Sequence, residues 1–427
     1  MRLELLFAEF MSPALPRVLF WLASSHFDGC SGLFQDWALH LPFLHIALTA
    51  LLGLVACGWL ILAAQLSLGM RRLPRLASVR PLADAELPSV SVLVSARDEA
   101  EKMPAALRSM LALDYPAYEV VAVDDRSRDA TPEILREISA GCKLLKTIRL
   151  DELPPGWLGK PHGLQTAYEH SRGEWLVFTD ADVHFHPQLL RRAVSLALKR
   201  GLDHLSIFPL MDMSGFWEKT FLSYFLLGGF IFTRAWNVPN QKSGAYAGVG
   251  AFQLLRRSVY EAIGTHRRLA LEVVDDMALG RLVKAAGFTS GVALPEGLLR
   301  LRWHSGVGNI VRGTEKNLFA AAQFRWHIAA AQIGFILLVS VVPFLALLLA
   351  RGWAEVLAGV SAACAVLLQA RNARLGRLSP LYGLMHPFGA LLLCFMSARS
   401  AFLTMRQRGI YWRGTFYPLE ALRRGAV

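Results

Sequence analysis

Hydrophobic positions along this chain follow two regimes. Four long blocks are apolar without a break, at about 46–68 (IALTALLGLVACGWLILAAQLSL), 327–350, 353–370 and 382–404. Each approaches the ~20 residues that cross a bilayer as a helix, and their central stretches carry no Asp, Glu, Lys or Arg before the last nears Arg399. Between them, from about 88, short apolar runs alternate with amphipathic stretches. Ser89–Ser95, Val120–Val123 and Trp175–Phe178 read as buried strands, and Glu99–Leu113, Pro132–Ser139, Leu164–His170 and Gln188–Arg200 as helices. That alternation predicts an α/β domain with a mostly parallel, Rossmann-like sheet.

The pattern divides the chain into three parts. Residues 1–87 form an N-terminal segment with one transmembrane helix and a basic linker; 88–325 form the α/β domain; 326–427 form a membrane region of about three hydrophobic helices and a basic tail. The stretch 1–24 is interrupted by Arg2, Glu4, Glu9, Pro13, Pro16 and Arg17, so it reads as an interfacial segment rather than a signal peptide. Arg71, Arg72, Arg75 and Arg80 follow the first span and place residues 71–325 in the cytoplasm. Basic residues also fill the short loop at Arg371, Arg374 and Arg377 and the tail at Arg406, Arg408, Arg413, Arg423 and Arg424. Both clusters cannot lie inside if all three later blocks cross. One block is therefore expected to be re-entrant or interfacial, and Pro387 points to 382–404.

Composition sharpens this picture without changing it. The 427 residues are 54% hydrophobic with a formal net charge of +12. Much of the excess is arginine near the membrane boundaries, suited to anionic headgroups. No cluster of basic and aromatic residues marks a nucleic-acid face, so nucleic acid is not expected as a partner. The five cysteines are scattered, with no metal-ligand spacing.

Chemistry gathers where the strands end. The three runs lead into Ala96-Arg97-Asp98-Glu99, Asp124-Asp125-Arg126-Ser127-Arg128-Asp129 and Thr179-Asp180-Ala181-Asp182. Ligands of open α/β sheets bind beyond such ends. Singly, each cluster is a turn or a helix cap; on one sheet edge they can hold a base, a ribose and a diphosphate with Mg²⁺ or Mn²⁺ shared between carboxylates and phosphates. A shared cation would relieve the repulsion between Asp180 and Asp182.

These residues resemble the family 2 glycosyltransferases, inverting enzymes with a GT-A nucleotide-sugar domain. The likeness rests on Val90-Ser91-Val92-Leu93-Val94-Ser95-Ala96-Arg97-Asp98-Glu99 and on Val123-Asp124-Asp125-Arg126-Ser127-Arg128-Asp129-Ala130-Thr131, where Arg126 replaces a frequent glycine. It extends to the Asp180-Ala181-Asp182 D-x-D and to the glycine-lysine loop Leu153–Lys160, followed here by His162 and Gly163 in place of a common Trp-Ala. The resemblance implies that Ala96, Glu99 and Asp125 contact the nucleoside, that Lys160 and Asp180 serve the diphosphate, and that Asp180 and Asp182 bind the metal. It also implies that the second acid of Glu272-Val273-Val274-Asp275-Asp276, Asp276, is the general base, with Asp275 in support. Read without the family, Lys160 is a turn lysine and Asp275-Asp276 a helix N-cap pair.

The expected partners are a nucleotide-diphosphate sugar, a UDP-sugar foremost, a lipid acceptor that could be isoprenoid in type, and the membrane. The expected location is the bacterial cytoplasmic membrane. Val311–Phe319 and Tyr411–Tyr417 are similar to segments of relatives associated with hopanoid and carotenoid glycosylation. Gln323-Phe324-Arg325-Trp326 is one residue too short for the Q-x-x-R-W of processive synthases. A processive polysaccharide synthase and a non-catalytic nucleotide-sugar-binding scaffold are the rival readings. Residues 215–235, rich in phenylalanine but carrying Glu218, Lys219 and Arg234, read either as an interfacial helix admitting the acceptor or as a core helix.

Overall fold

The structure, a computed structural model, describes residues 31–425. The expected interfacial segment 1–24 and Cys30 lie outside these residues. The centre of the fold is a seven-stranded sheet. In chain order its strands are β1 (Val90–Ala96), β2 (Tyr118–Asp125), β3 (Leu145–Leu150) and β4 (Trp175–Asp180). After β5 (Val183–Phe185), which belongs to a smaller sheet, come β6 (His204–Ile207), β7 (Leu210–Met211, again in the smaller sheet), β8 (Gln253–Arg256) and β9 (Ser290–Ala293). The spatial order is β3-β2-β1-β4-β8-β6-β9. All pairs are parallel except those of β8, which runs antiparallel to β4 and β6. This is the mostly parallel, Rossmann-like sheet of the expected GT-A type.

The register explains why these runs are strands. Val92 pairs with Val120 and Val177, and all three side chains enter one core; Leu93 pairs with Val121 and Phe178, and those three enter the core on the opposite face. Both faces are buried, so the strands read as unbroken apolar runs rather than alternating ones. Each such side chain contributes about 1.5–3 kcal/mol when fully buried.

The apolar blocks become helices, with one exception to the expected pattern. Helix Ser31–Arg72 contains the first block; Trp353–Leu375 contains the third; a short turn Pro380–Met385 leads into helix His386–Gln407. Three segments, His45–Arg72, Trp353–Leu375 and Pro380–Gln407, are long and apolar enough to cross a membrane. The block 327–350, expected as one helix, is divided at Val341 into Trp326–Ser340 and Val342–Leu349. Pro343 accounts for the break: it lacks the N–H that would bond the carbonyl of Val339, and its ring crowds that position. The freed Val339 carbonyl instead accepts a hydrogen bond from Trp59 Nε1 at 2.9 Å, a side chain of the first long helix.

Helices Ser31–Arg72 and Trp353–Leu375 run in the same direction. Leu52 clusters with Ala346, Ala354 and Ala358 at the end remote from the sheet, whereas Arg371 Nη1 donates to Ser67 Oγ at 3.0 Å at the near end. Helix His386–Gln407 behaves differently. The turn before it places Tyr382 against Phe216, and the segment after it forms a hairpin, with one strand at Gly409–Trp412 and the other at Thr415–Pro418, that reaches Glu99. Both of its ends therefore lie against the α/β domain. It packs along helix Phe216–Thr233, where the absence of a side chain at Gly389 lets Tyr224 approach. That Phe-rich helix buries Glu218, which accepts from Ser214 N at 3.3 Å and Gly306 N at 3.1 Å, and it exposes Phe216, Trp217 and Phe232.

Candidate functional site

The parallel register brings the ends of β1, β2 and β4 level, with Ser95 opposite Asp180 and Ala96 opposite Asp124. After β1 the chain turns through Asp98, with φ of 52°, and after β2 through Arg126, with φ of 58°. The two loops are stitched together. Asp98 N donates to Ser127 Oγ, Glu99 N to Thr131 Oγ1 and Ala100 N to Asp129 Oδ2, each at 2.9 Å. The Ser, Asp and Thr of the second motif thus hold the Glu99 loop in place, a role the sequence did not reveal. Glu99 precedes its helix, which begins at Met103 rather than at residue 99.

Asp125 is buried and carries a fork from Arg126, with Nε at 2.7 Å from Oδ1 and Nη2 at 3.2 Å from Oδ2. Arg97 Nη1 stands 3.8 Å away on the same carboxylate. The arginine that replaces the usual glycine therefore sits directly on the expected nucleoside contact. Gly159 closes this corner, because a Cβ there would come within 2.1 Å of Asp125 Oδ2.

Lys160 stands in the first turn of helix Gly159–Glu169, not in a loop. Its Nζ lies 2.7 Å from Asp180 Oδ1 and 3.6 Å from Asp275 Oδ1. Burial alone would lower the lysine's pKa, but Asp180, Asp275 and Asp276 outweigh it and raise it. For Asp180, burial works upward and Lys160 more than cancels it, leaving the carboxyl below its ordinary value. Asp182 is different: burial and the neighbouring Asp180 push it up to about 6, although Lys102 Nζ approaches to 3.2 Å.

The neighbours Asp275 and Asp276 open helix Asp275–Ala285 and divide their surroundings sharply. Asp275 is buried and pushed up to about 7, chiefly by burial, with Lys160 opposing and Asp276 adding to the rise. His266, 3.9 Å from Asp275, is itself held neutral, its pKa lowered to about 3 by burial and Lys160. Asp276 is more accessible, and its carboxylate accepts from Gly250 N and from Met277 N, both at 2.8 Å. Gly250 also accepts, through its carbonyl, from Asp180 N at 3.0 Å. One residue therefore ties the D-x-D strand to the expected base. The neighbouring Gly248 is explained by packing, since a Cβ there would fall 1.7 Å from the Asp276 carbonyl.

Among the described residues no group of three or more His, Cys, Asp or Glu side chains forms a metal cage. Asp180 and Asp182 offer two hard carboxylates next to lysines. That donor set fits Mg²⁺ or Mn²⁺ completed by phosphate oxygens and water rather than a resident structural ion.

Sequence reasoning missed two cations. Lys316 lies within electrostatic reach of Asp180 and Asp275, and Arg413 from the C-terminal hairpin is paired with Glu99. Lys316 lies in a segment that the sequence singles out only as a family likeness, and Arg413 reads from sequence only as part of the basic tail and of a second such likeness.

The profile of Glycosyl transferase family 2 matches residues 91–264, which include all of β1–β8 except the first residue of β1. The chain is 24% identical over 237 residues to 4,4'-diaponeurosporenoate glycosyltransferase of Staphylococcus haemolyticus, covering 55% of this chain and 62% of that protein. It is 35% identical over 119 residues to glycosyltransferase AglE of Haloferax volcanii, covering 27% of this chain and 38% of that protein. It is also 35% identical over 112 residues to beta-monoglucosyldiacylglycerol synthase of Trichormus variabilis, covering 26% and 24%. The chain thus spans less than two thirds of the length of each of these relatives. Among solved structures, mannosyltransferase PcManGT from Pyrobaculum calidifontis in complex with GDP-Man and Mn²⁺ aligns with 81% of this chain and 99% of its own, at a TM-score of 0.47 and 21% identity. Residues 91–264, which carry most of the seven-stranded sheet and the carboxylates at its strand ends, are thus similar to Glycosyl transferase family 2.

Proposed function

We propose that the protein is a membrane-bound inverting glycosyltransferase that moves one sugar from a nucleotide-diphosphate donor to a lipid hydroxyl on the cytoplasmic side. The observation that carries this reading is the Gly250 link, which holds Asp276 beside Asp180 and Lys160. The acceptor hydroxyl attacks the anomeric carbon from the face opposite the leaving group, and its proton passes to the Asp276 carboxylate. As the new carbon–oxygen bond forms, the bond to the diphosphate breaks and its electron pair leaves with the phosphate oxygen. Ala96, Glu99 and Asp125 bind the nucleoside, Arg126 yielding Asp125 to it. Lys160 places a positive charge against the diphosphate. Asp180 and Asp182 would hold Mg²⁺ or Mn²⁺, which when bound supplies charge neutralisation for the leaving diphosphate. Asp275 supports Asp276 from behind.

The lipid acceptor is supported by two features. Two of the relatives have names that denote transfer to a carotenoid acid or a diacylglycerol. Helices Phe216–Thr233 and His386–Gln407 also pack side by side against the α/β domain and expose Phe216, Trp217, Phe388 and Phe395, a surface suited to lying in a bilayer interface. The same geometry supports an arrangement that removes the charge conflict of the C-terminal region. The first long helix enters the cytoplasm, 326–349 leaves despite its break, 353–375 returns, and His386–Gln407 stays on the cytoplasmic face. Every basic loop is then inside.

Processive synthesis is not favoured. Gln323-Phe324-Arg325-Trp326 occupies a 110° bend between helices Val307–Ala321 and Trp326–Ser340, with Arg325 and Trp326 exposed. The test uses membranes containing the protein, radiolabelled UDP- and GDP-sugars, and magnesium or manganese. Label in a discrete lipid, lost in Asp276→Asn and on chelation, supports the reading. Label in insoluble polymer would move the assignment to a synthase, and donor binding with no Asp276-dependent transfer would leave a scaffold.

A further inference from the structure

Around the strand-end carboxylates several positive charges are paired with carboxylates. Lys102 meets Asp182, Lys160 meets Asp180 and Asp275, and Arg413 meets Glu99. Lys316 has no carboxylate within 4 Å among the described residues. Its ammonium instead donates to the Asn317 side-chain oxygen at 2.8 Å and lies 4.0 Å from the centre of the Trp412 ring. Burial and Lys160 lower its pKa to about 8, against the pull of Asp275 and Asp180. A cation in this setting lacks an anion.

The aromatic cover comes from the C-terminal hairpin, whose two-residue loop is Arg413-Gly414. Trp412 pairs with Thr415 across it, and both loop residues are left-handed, with φ of 47° and 77°. Such loops favour Asn, Asp or Gly at the first position. Arginine there is strained, and its side chain is committed to the ion pair with Glu99. The hairpin is also firmly seated. Ile410, Tyr417 and the following Leu422 are buried in a cluster with Leu158 and Val273, the residues just before the Lys160 helix and the Asp275-Asp276 pair.

We propose that Lys316 and Arg413 form a phosphate-binding element for the donor diphosphate, contributed by the C-terminal region outside the residues matched by the family profile. The inference rests on the donor reading above. Arg413 stands at the nucleoside end, beside Glu99, and Lys316 at the transfer end, near Asp180 and Asp275. The two charges flank the stretch that a diphosphate joining those ends must cross. Trp412 restricts Lys316 from above by cation–π contact, and Glu99 orients the Arg413 guanidinium.

The test is binding of UDP, GDP and the corresponding nucleosides to the full-length protein in detergent with Mn²⁺, beside transfer activity. Lys316→Met and Arg413→Gln are each expected to weaken the preferred nucleoside diphosphate by about ten- to hundredfold. For Lys316→Met, nucleoside affinity and the thermal midpoint should stay within error, and Lys316→Arg should recover most of the loss. Unchanged diphosphate affinity in both variants overturns the inference, as does an equal loss for the nucleoside. A rise confined to the KM of a lipid-phosphate acceptor would also overturn it, by assigning the two cations to the acceptor. The underlying reading fails separately: wild-type protein that binds neither diphosphate removes the donor itself, whereas Asp276→Asn protein that binds normally but does not transfer keeps it.

Discussion

The α/β sheet and the helical layer use the same apolar side chains in opposite ways. In the sheet the large residues are inside: Leu93, Val121 and Trp175 are fully buried. In helix Trp353–Leu375 the small residues are inside. Ala354, Ala358, Ser361, Ala362 and Ala365 face the neighbouring helices, while Trp353, Val356 and Leu367 point outward. Leu348 and Leu349 are 72% and 79% exposed. Water would drive those large side chains inward. Lipid does not, and helices in lipid associate through small residues that allow close approach. The difference supports the proposed membrane-bound reading, in which one chain folds against two solvents with the chemistry at the border.

The comparison can be broken in several ways, beginning with the largest effect. If the chemistry belongs to the sheet edge, Asp276→Asn should reduce transfer by about 10²–10⁴-fold while diphosphate affinity persists, as read by initial rates and calorimetry. Retained transfer would remove Asp276 as the base. Next, the two leucine environments should respond differently. Leu93→Ala is expected to destabilise the domain by about 2–5 kcal/mol, whereas Leu348→Ala should cost no more than about 0.5 kcal/mol. Denaturation in matched detergent would check both, and equal losses would collapse the distinction between the two regions.

A pH experiment addresses the sheet edge alone. Asp182 is raised to about 6 in the fold, so the folded state holds its proton more tightly than the unfolded chain. Without metal, stability from this group should fall as pH rises from the ordinary aspartate range through about 6. Donor binding in Mn²⁺ should show the reverse, weakening as pH drops below about 6, because a proton competes for the carboxylate. Asp182→Asn should flatten both profiles. The smallest effect concerns the border. Trp217→Ser with Phe388→Ser is expected to slow transfer to a vesicle-borne acceptor a few-fold and to leave nucleoside diphosphate binding in detergent unchanged.

Much of this arrangement could be read from the chain, and the gaps have physical reasons. β1, β2 and β4 are unbroken apolar runs because both faces are covered. β3 was invisible: it is the edge strand of the sheet, and LKTIRL is broken by the exposed Lys146 and Arg149, three residues apart and so on opposite faces, which leaves neither an unbroken apolar run nor a clean alternation. The helix bearing Lys160 was expected only from Leu164, since Pro161 and Gly163 look like a loop. Proline is tolerated in a first helical turn, and Gly163 lets the helix lie against Ser95. The continuous apolar block 327–350 concealed its break because neighbours satisfy the bond that Pro343 removes. Asp125 and Asp180 stood out as carboxylates at strand ends, whereas Lys160 and the Asp275-Asp276 pair were singled out by the family likeness. Lys316 and Arg413 could not be found, because no local pattern reports meetings between residues as distant in the chain as Arg413 and Glu99 or Lys316 and Asp180.

The Gly250 link has an evolutionary consequence. A side chain at this position would stand 2.8 Å from Asp180 Oδ2 and 3.3 Å from Asp276 Oδ2. No single substitution there can retune one end of the site without disturbing the other, so the position is closed to gradual change.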